Sequence, residues 1–372
     1  MSIRVLEVTN RSDLKRWVKF PISLFAGNEY YVPPLIGDEI AYFDKRKNPA
    51  FQVCEARLFV ALDGDRVVGR ICGIINSLEE KKLGYKRGRF GWFDSINNQD
   101  VANMLFDCVK GWLVNKQCVE MTGPHGFNDL DVEGLLIEGF EELPTIAGNY
   151  AYPYYKDLVE RYGFEKEVDY VEKRCRVPRQ VPVFERMRKR YSANTEYRVV
   201  TCSSKKELLT HVKAMWELLE TAFEPLYGVV PLTNDQTKFY TKKYFGFLNP
   251  EFVKFTYAND GQMVAFMISM PNLSAAFKKA GGKLFPIGFV HILKAFRKPK
   301  TLDSLLGAIR PGRSAAAIRS MTWIDMYDTM IRRNIEFVES NHQLEDNTRA
   351  DLFTRYEVIY QRRARVFRLA LS

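Results

Sequence analysis

Apolar residues recur three and four apart along much of the chain, and the clearest case is residues 154–164. There Tyr155, Leu158, Val159 and Tyr162 fall on one side of a short helix, and Gly163 stands just past them, where a left-handed cap favours glycine. A strand is predicted to follow through Val168, Tyr170 and Val171. Upstream, residues 3–8 alternate as a strand, and residues 11–20 place Leu14, Trp17 and Val18 on one side of a helix. Two strand-like runs, 57–62 and 67–75, flank Asp63-Gly64, a strong hairpin signal. Next come a strand over 88–93, a helix over 99–116 that turns Val101, Leu105, Val109 and Trp112 inward, a short strand over 118–122 and a glycine-punctuated segment over 123–149.

The second half repeats this order. A strand is predicted over 196–201, a helix over 208–223, a hairpin of 252–258 and 263–270 about Asp260-Gly261, and a strand over 305–309. A helix over 314–332, a strand over 335–339, a helix over 348–355 and a last strand over 357–368 complete it. Glu196, Gly261 and Tyr356 stand nearly the same distance beyond Ile3, Gly64 and Gly163, and the spacing widens only between, where residues 271–300 are extra. An ordered repeat of this kind predicts two tandem domains, residues 1–177 and 196–372, joined by a linker over 178–195. The arginines of that linker, among them Arg179, Arg186, Arg188 and Arg190, read as a solvated surface rather than a nucleic-acid site.

Composition narrows the chemistry. The chain has 372 residues, 46% hydrophobic and 13% aromatic, which suits packed globular domains. Lys and Arg number 55 against 45 Asp and Glu, a net +10 that favours anionic partners or a solvated basic face. Cys54, Cys72, Cys108, Cys118, Cys175 and Cys202 form no C-x-x-C, and the four histidines form no H-x-x-x-H, so no metal site is predicted and the thiols are expected to be reduced. No apolar signal core opens the chain, and no stretch reaches the ~18 apolar residues of a membrane span. A cytoplasmic location is expected.

The element order, with Trp17, Tyr31-Val32-Pro33-Pro34, Asn48-Pro49-Ala50-Phe51, Gly69-Arg70-Ile71, Gly88-Arg89-Phe90-Gly91-Trp92-Phe93, Gly123-Pro124, Gly134-Leu135-Leu136, Tyr154-Tyr155 and Gly163-Phe164, resembles the GNAT N-acetyltransferase superfamily. Within it, the first half is similar to a bacterial family of tandem GNAT-like proteins without an assigned activity. The resemblance implies an α/β (α+β) fold of two GNAT-like domains, each a mixed, mostly antiparallel sheet flanked by helices. It also implies an acyl-CoA-dependent N-acetyltransferase that passes an acetyl or acyl group to an amine, small molecule or peptide, with acetyl-CoA or another acyl-CoA as substrate and no metal.

In working members a Q/R-x-x-G-x-G/A loop and the following helix hold the coenzyme A pyrophosphate on backbone N–H groups. Here the matching stretch is Ile309 followed by Arg310-Pro311-Gly312-Arg313-Ser314-Ala315; Arg310 and Ala315 fit, Arg313 stands where the first glycine belongs, and Gly312 is one residue early. The turn is read either as this site or as an ordinary strand-to-helix turn capped by Ser314. In the first half Asp94-Ser95-Ile96-Asn97-Asn98-Gln99-Asp100 has no glycine and two aspartates, so no coenzyme A is expected there. The resemblance places its catalytic asparagine at Asn347, but Thr354 replaces the tyrosine acid; in the first half Tyr152 and Val159 replace both. Glu345 and Asp346 are base candidates and equally partners of a helix dipole.

Two other stretches carry chemistry. Residues 123–131 form a loop in which His125 and Asp129 could be acid–base partners of a substrate lid or structural groups. Residues 277–296 mix aromatics with Lys278, Lys279, Lys283 and Lys294, as a membrane-surface segment does or as an insertion covering the core. Two further classes stay open: a non-catalytic binding module, and a Fem-type aminoacyl-tRNA-dependent transferase, for which RNA would be a partner. DNA is not expected.

Overall fold

The computed structural model describes residues 2–192, 196–312, 315–347 and 356–371. Its strands are β1 (Ile3–Glu7), β2 (Cys54–Asp63), β3 (Arg66–Asn76), β4 (Arg87–Ser95), β5 (Glu120–Gly123), β6 (Leu135–Glu138) and β7 (Glu165–Arg176) in the first half. The second half has β8 (Tyr197–Thr201), β9 (Val253–Ala258), β10 (Met263–Pro271), β11 (Thr301–Ile309), β12 (Phe337–Ser340), β13 (Gln343–Leu344) and β14 (Glu357–Ala370).

These strands form one 14-stranded sheet in the order β1-β2-β3-β4-β5-β14-β7-β12-β11-β10-β9-β8, with β6 on β14 and β13 on β7. The middle of that order is crossed. The last strand of the chain, β14, lies beside β5 of the first half, and β7 of the first half lies beside β12 of the second. A long antiparallel ladder between β7 and β14, from Glu357 opposite Arg176 to Arg368 opposite Glu165, welds the halves together. Each half therefore completes its sheet with a strand lent by the other.

Both predicted hairpins form about their Asp-Gly turns, as β2-β3 and β9-β10. The helix Tyr154–Tyr162 ends at Gly163, whose φ of +111° is a conformation that side chains other than glycine rarely adopt. Helices cover both faces of the sheet. In the first half Gln99–Asn115 and Tyr154–Tyr162 bury Leu105, Trp112, Tyr155 and Val159 on one face, while Trp17, Phe43 and Phe127 pack on the other. Trp17 is fully buried: its Nε1 donates to the Phe59 carbonyl at 3.0 Å, and the Arg70 guanidinium lies 4.4 Å from its ring. Burying such a ring stabilises the fold by roughly 1.5–3 kcal/mol. In the second half Val212–Phe223 packs on one face, and Ala315–Arg332 with Pro182–Ser192 on the other.

Several elements differ from the periodicity. The helix expected over 208–223 is two, Lys205–Thr210 and Val212–Phe223, meeting at His211. Residues 182–192 of the expected linker form a helix that buries Phe184 against Tyr327. Residues 135–138, within the glycine-punctuated segment, form β6. The strand expected from 305 begins at Thr301. The extra residues fold as two helices, Ser274–Ala280 and Gly288–Arg297. The expected helix 348–355 lies outside the described residues. Among the described residues no helix is long and apolar enough to cross a membrane.

Candidate active site at a split in the sheet

Strands β11 and β12 run parallel and pair over four residues, from Thr301 opposite Phe337 to Ser304 opposite Ser340. Beyond that point β11 continues to Ile309 against β10 alone. Asn341 ends the pairing: its backbone N–H donates to the Ser304 carbonyl and its Nδ2 to the Leu305 carbonyl, each at 3.1 Å. The sheet thus splits, and one edge of residues 306–309 has no strand partner among the described residues.

A row of polar residues crosses the sheet at the split. The register sets Asp303 opposite Glu339, Glu339 opposite Arg174, Arg174 opposite Tyr360, and Glu172 opposite Arg362. Residues paired in this way present their side chains on one face. Leu302, Val338 and Cys175 alternate with them and pack on the other face against Ala315–Arg332. Asp303 is 1% exposed and Glu339 3%. Asn272 bridges the two carboxyls, at 2.8 Å to Asp303 and 3.3 Å to Glu339. Arg174 reaches Glu339 at 3.0 Å, and the Tyr360 hydroxyl donates to the same oxygen at 3.2 Å. Arg362 holds Glu172 at 2.6 Å, with His342 3.5 Å from the other oxygen.

Burial raises the Glu339 carboxyl to about 7, because Glu172 adds to desolvation and Arg174 only partly offsets it. Burial and the charge of Glu339 push Asp303 well above the carboxylate range. Its Oδ2 is buried without a hydrogen-bond partner among the described residues. A segment of the first half covers the row: Thr145 reaches Glu172 at 3.4 Å, the Asn149 carbonyl accepts from Arg362 at 2.6 Å, and the Pro144 carbonyl accepts from Ser274 at 2.6 Å.

The first half has the same parallel pair, β4 with β5, from Arg87 opposite Glu120 to Arg89 opposite Thr122. There the split is filled. The His125 N–H donates to the Phe90 carbonyl at 2.8 Å, and a Cβ at Gly91 would stand 2.2 Å from the His125 carbonyl oxygen. His125 is buried, with Nδ1 3.3 Å from Glu133. Burial would raise Glu133 and Glu79, but the His125 and Arg89 contacts outweigh it and hold both below the usual range. Asp129 is raised to about 7 by burial and by Glu133.

The whole architecture matches solved proteins. A tandem GNAT protein from the clavulanic acid biosynthesis pathway superposes with a TM-score of 0.58 over 100% of this chain and 99% of its own, at 11% identity. The chain has the tandem GNAT fold. A GCN5-related glucosamine N-acetyltransferase region of a fungal β-N-acetylglucosaminidase superposes with a TM-score of 0.57 at 10% identity, covering 99% of this chain and 38% of that one. No family model matches the sequence. Among curated proteins, Escherichia coli (strain K12) Protein YghO is 26% identical over 353 residues, 91% of this chain and 88% of that protein. The bacterial ceramide synthase of Caulobacter vibrioides is 26% identical over 294 residues, 78% of this chain and 76% of that protein.

In this GNAT frame the turn after β11 stands at the mouth of the split. Ile309 pairs with Ala265, the Arg310 N–H donates to the Val264 carbonyl at 2.7 Å, and the Arg310 Nη2 lies 3.4 Å from the Met263 carbonyl. Gly312 has φ +154° with open space around it, and Ala315 opens an 18-residue helix. Arg313 and Ser314 lie outside the described residues, as does Thr354. Glu345 is exposed and ion-paired with Arg363 and, at 3.6 Å, with Lys166. Arg363 alternates with Arg362 along β14, so Glu345 stands across the sheet from the polar row. Asn347 closes a turn, its N–H donating to the Leu344 carbonyl at 3.0 Å. The structure does not bring Glu345 and Asn347 into the row.

Sequence reasoning missed Asp303, Glu339, Glu172, Arg174, Tyr360 and Arg362, which come from four strands. One signal was present: Glu172-Lys173-Arg174 and Gln361-Arg362-Arg363 carry polar groups at successive positions, so both faces of these strands are polar there. Cys202, Glu207 and His211 place potential ligand atoms within 4.8 Å of one another. Glu207 there accepts from the Ser203 backbone at 2.7 Å, and His211 meets the Tyr257 hydroxyl at 2.5 Å.

Proposed function

We propose that the chain is an acyl-CoA-dependent N-acyltransferase whose reaction takes place at the split between β11 and β12, in the second half, with Glu339 as the base. The observation that carries this is the buried, bridged pair Asp303 and Glu339 beside a strand edge with no strand partner among the described residues. A carboxyl raised to about 7 is poised to exchange protons near neutral pH. Glu339 takes the proton that the acceptor amine must lose on attacking the thioester carbonyl. In this reading, backbone N–H groups on the β11 edge that lacks a strand partner among the described residues receive the developing oxyanion. The C–N bond forms as the C–S bond breaks, and Asp303 supplies the proton that the departing thiolate gains, so the pair passes one proton across the reaction.

The turn of Ile309, Arg310, Gly312, Arg313, Ser314 and Ala315 is assigned to the coenzyme A pyrophosphate. Support comes from the resemblance, from the helix that opens there and from Arg310. Glu345 is assigned an ion-pair role and Asn347 a turn role. The 26% identity to a ceramide synthase favours an amphiphilic amine as acceptor and a long acyl chain. Segment 143–149 must move aside for substrate, since it now lies on Glu172 and Arg362.

Incubation with acyl-CoAs of graded chain length and a long-chain amine, with thiol release and amide mass followed together, tests the reading. Amide formation that is lost in E339Q supports it; no thiol release with any acyl chain overturns it and leaves the non-catalytic binding module.

A further inference from the structure

The two helices inserted between β10 and β11 carry a surface that the reaction does not use. Phe277, Ile292, Ala295 and Phe296 pack on the core of the second half. The opposite side is left open: Phe285 is 71% exposed, Ile287 62% and Leu293 50%, with Leu284, Phe289 and Val290 beside them. Phe285 and Phe289 pack ring to ring at 5.7 Å, so the patch is contiguous. Lys279, Lys283, Lys294, Arg297 and Lys298 flank these residues along the chain, all exposed. No Asp or Glu occurs anywhere in residues 261–302.

The segment is anchored to the rest of the molecule. The Gly282 carbonyl accepts from the Ile36 N–H at 3.1 Å, Lys278 donates to the Glu29 carbonyl, and Ser274 donates to the Pro144 carbonyl. The last of these belongs to the segment that covers the polar row.

We infer that this face is a docking surface for an anionic lipid bilayer. Its apolar side chains enter the boundary between headgroups and acyl chains, while the flanking cations meet the negative headgroups. Charge decides among occupants. A second copy would set these cations against their own like charge, and an RNA would leave Phe285, Ile287 and Leu293 in water. A bilayer of anionic lipid matches both the apolar patch and the flanking basic residues. The inference does not depend on the acyl-transfer reading, because no residue of the polar row takes part.

The test is co-sedimentation of the full-length protein with vesicles of phosphatidylcholine alone or mixed with phosphatidylglycerol. Binding to the mixed vesicles is expected, with a weaker, salt-insensitive remainder on phosphatidylcholine. The F285S/I287S/L293S variant is expected to lose roughly tenfold in partition at unchanged melting temperature. K283E/K294E/K298E is expected to lose the preference for anionic lipid. E339Q should bind as wild type does, which separates docking from catalysis. No vesicle binding, binding that the apolar substitutions leave intact, or a wild-type dimer that those substitutions dissociate without any lipid binding would overturn it.

Discussion

The two parallel strand pairs of this molecule are built alike and finished differently. In the first half the chain runs on past Gly123 alongside β4, with His125 bonded to Phe90, so the split between β4 and β5 is filled with backbone. In the second half Asn341 ends the pair, and beyond it one edge of β11 has no strand partner among the described residues, beside Asp303 and Glu339. Electrostatics follow the same division. Glu79 and Glu133 in the filled half are held below the usual carboxylate range, with the Arg89 charge acting on both, whereas burial raises Asp303 and Glu339. One scaffold thus yields a split filled by backbone in one half and a buried pair of raised carboxyls in the other.

Removing the proposed base should have the largest effect. E339Q is expected to lower turnover by roughly 10²–10⁴-fold with the fold intact, whereas E133Q, in the filled half, should leave the chemical step almost unchanged. Arg362→Met would strand Glu172 in a buried site, at a cost of about 3–5 kcal/mol read by denaturant titration. Gly91→Ala drives a Cβ into the His125 carbonyl and should destabilise by roughly 2–4 kcal/mol; a smaller loss would mean that the filling backbone yields easily.

The pH dependence sharpens the comparison further. Between the ordinary Glu value of 4.5 and about 7, folded Glu339 keeps a proton that the unfolded chain has released. Its contribution to stability therefore falls as pH rises through that window and levels off above it, and E339Q should remove this slope. Glu133 has the opposite sign. Its stabilising contribution is present above 4.5 and is lost as pH falls through its lowered value, so E133Q should flatten the acid limb instead. The smallest effect belongs to the turn. R310E should weaken coenzyme A affinity by roughly tenfold, measured by titration calorimetry.

How much of this was legible in the sequence follows the range of the interactions. Asp63-Gly64 and Asp260-Gly261 mark their hairpins because turn chemistry is local, and Gly163 marks its helix end for the same reason. The turn at Arg310 was likewise placed by the strand before it and the helix after it. Strands are predicted where β7 and β14 form, yet nothing in a strand's own residues names its neighbour, so their exchange between halves was not readable. The polar row was hidden for the same reason: Asp303, Glu339, Arg174 and Tyr360 are remote in sequence and meet only through that exchange.

The crossed strands also bear on how the molecule comes to exist during synthesis. As residues 1–177 leave the ribosome, the β5 edge that β14 will occupy stays bare until residues 357–370 have been made. Neither half can be finished before the other, so an interrupted chain would display sticky strand edges to every similar chain nearby, and a chaperone that shields nascent β-edges would be its natural escort.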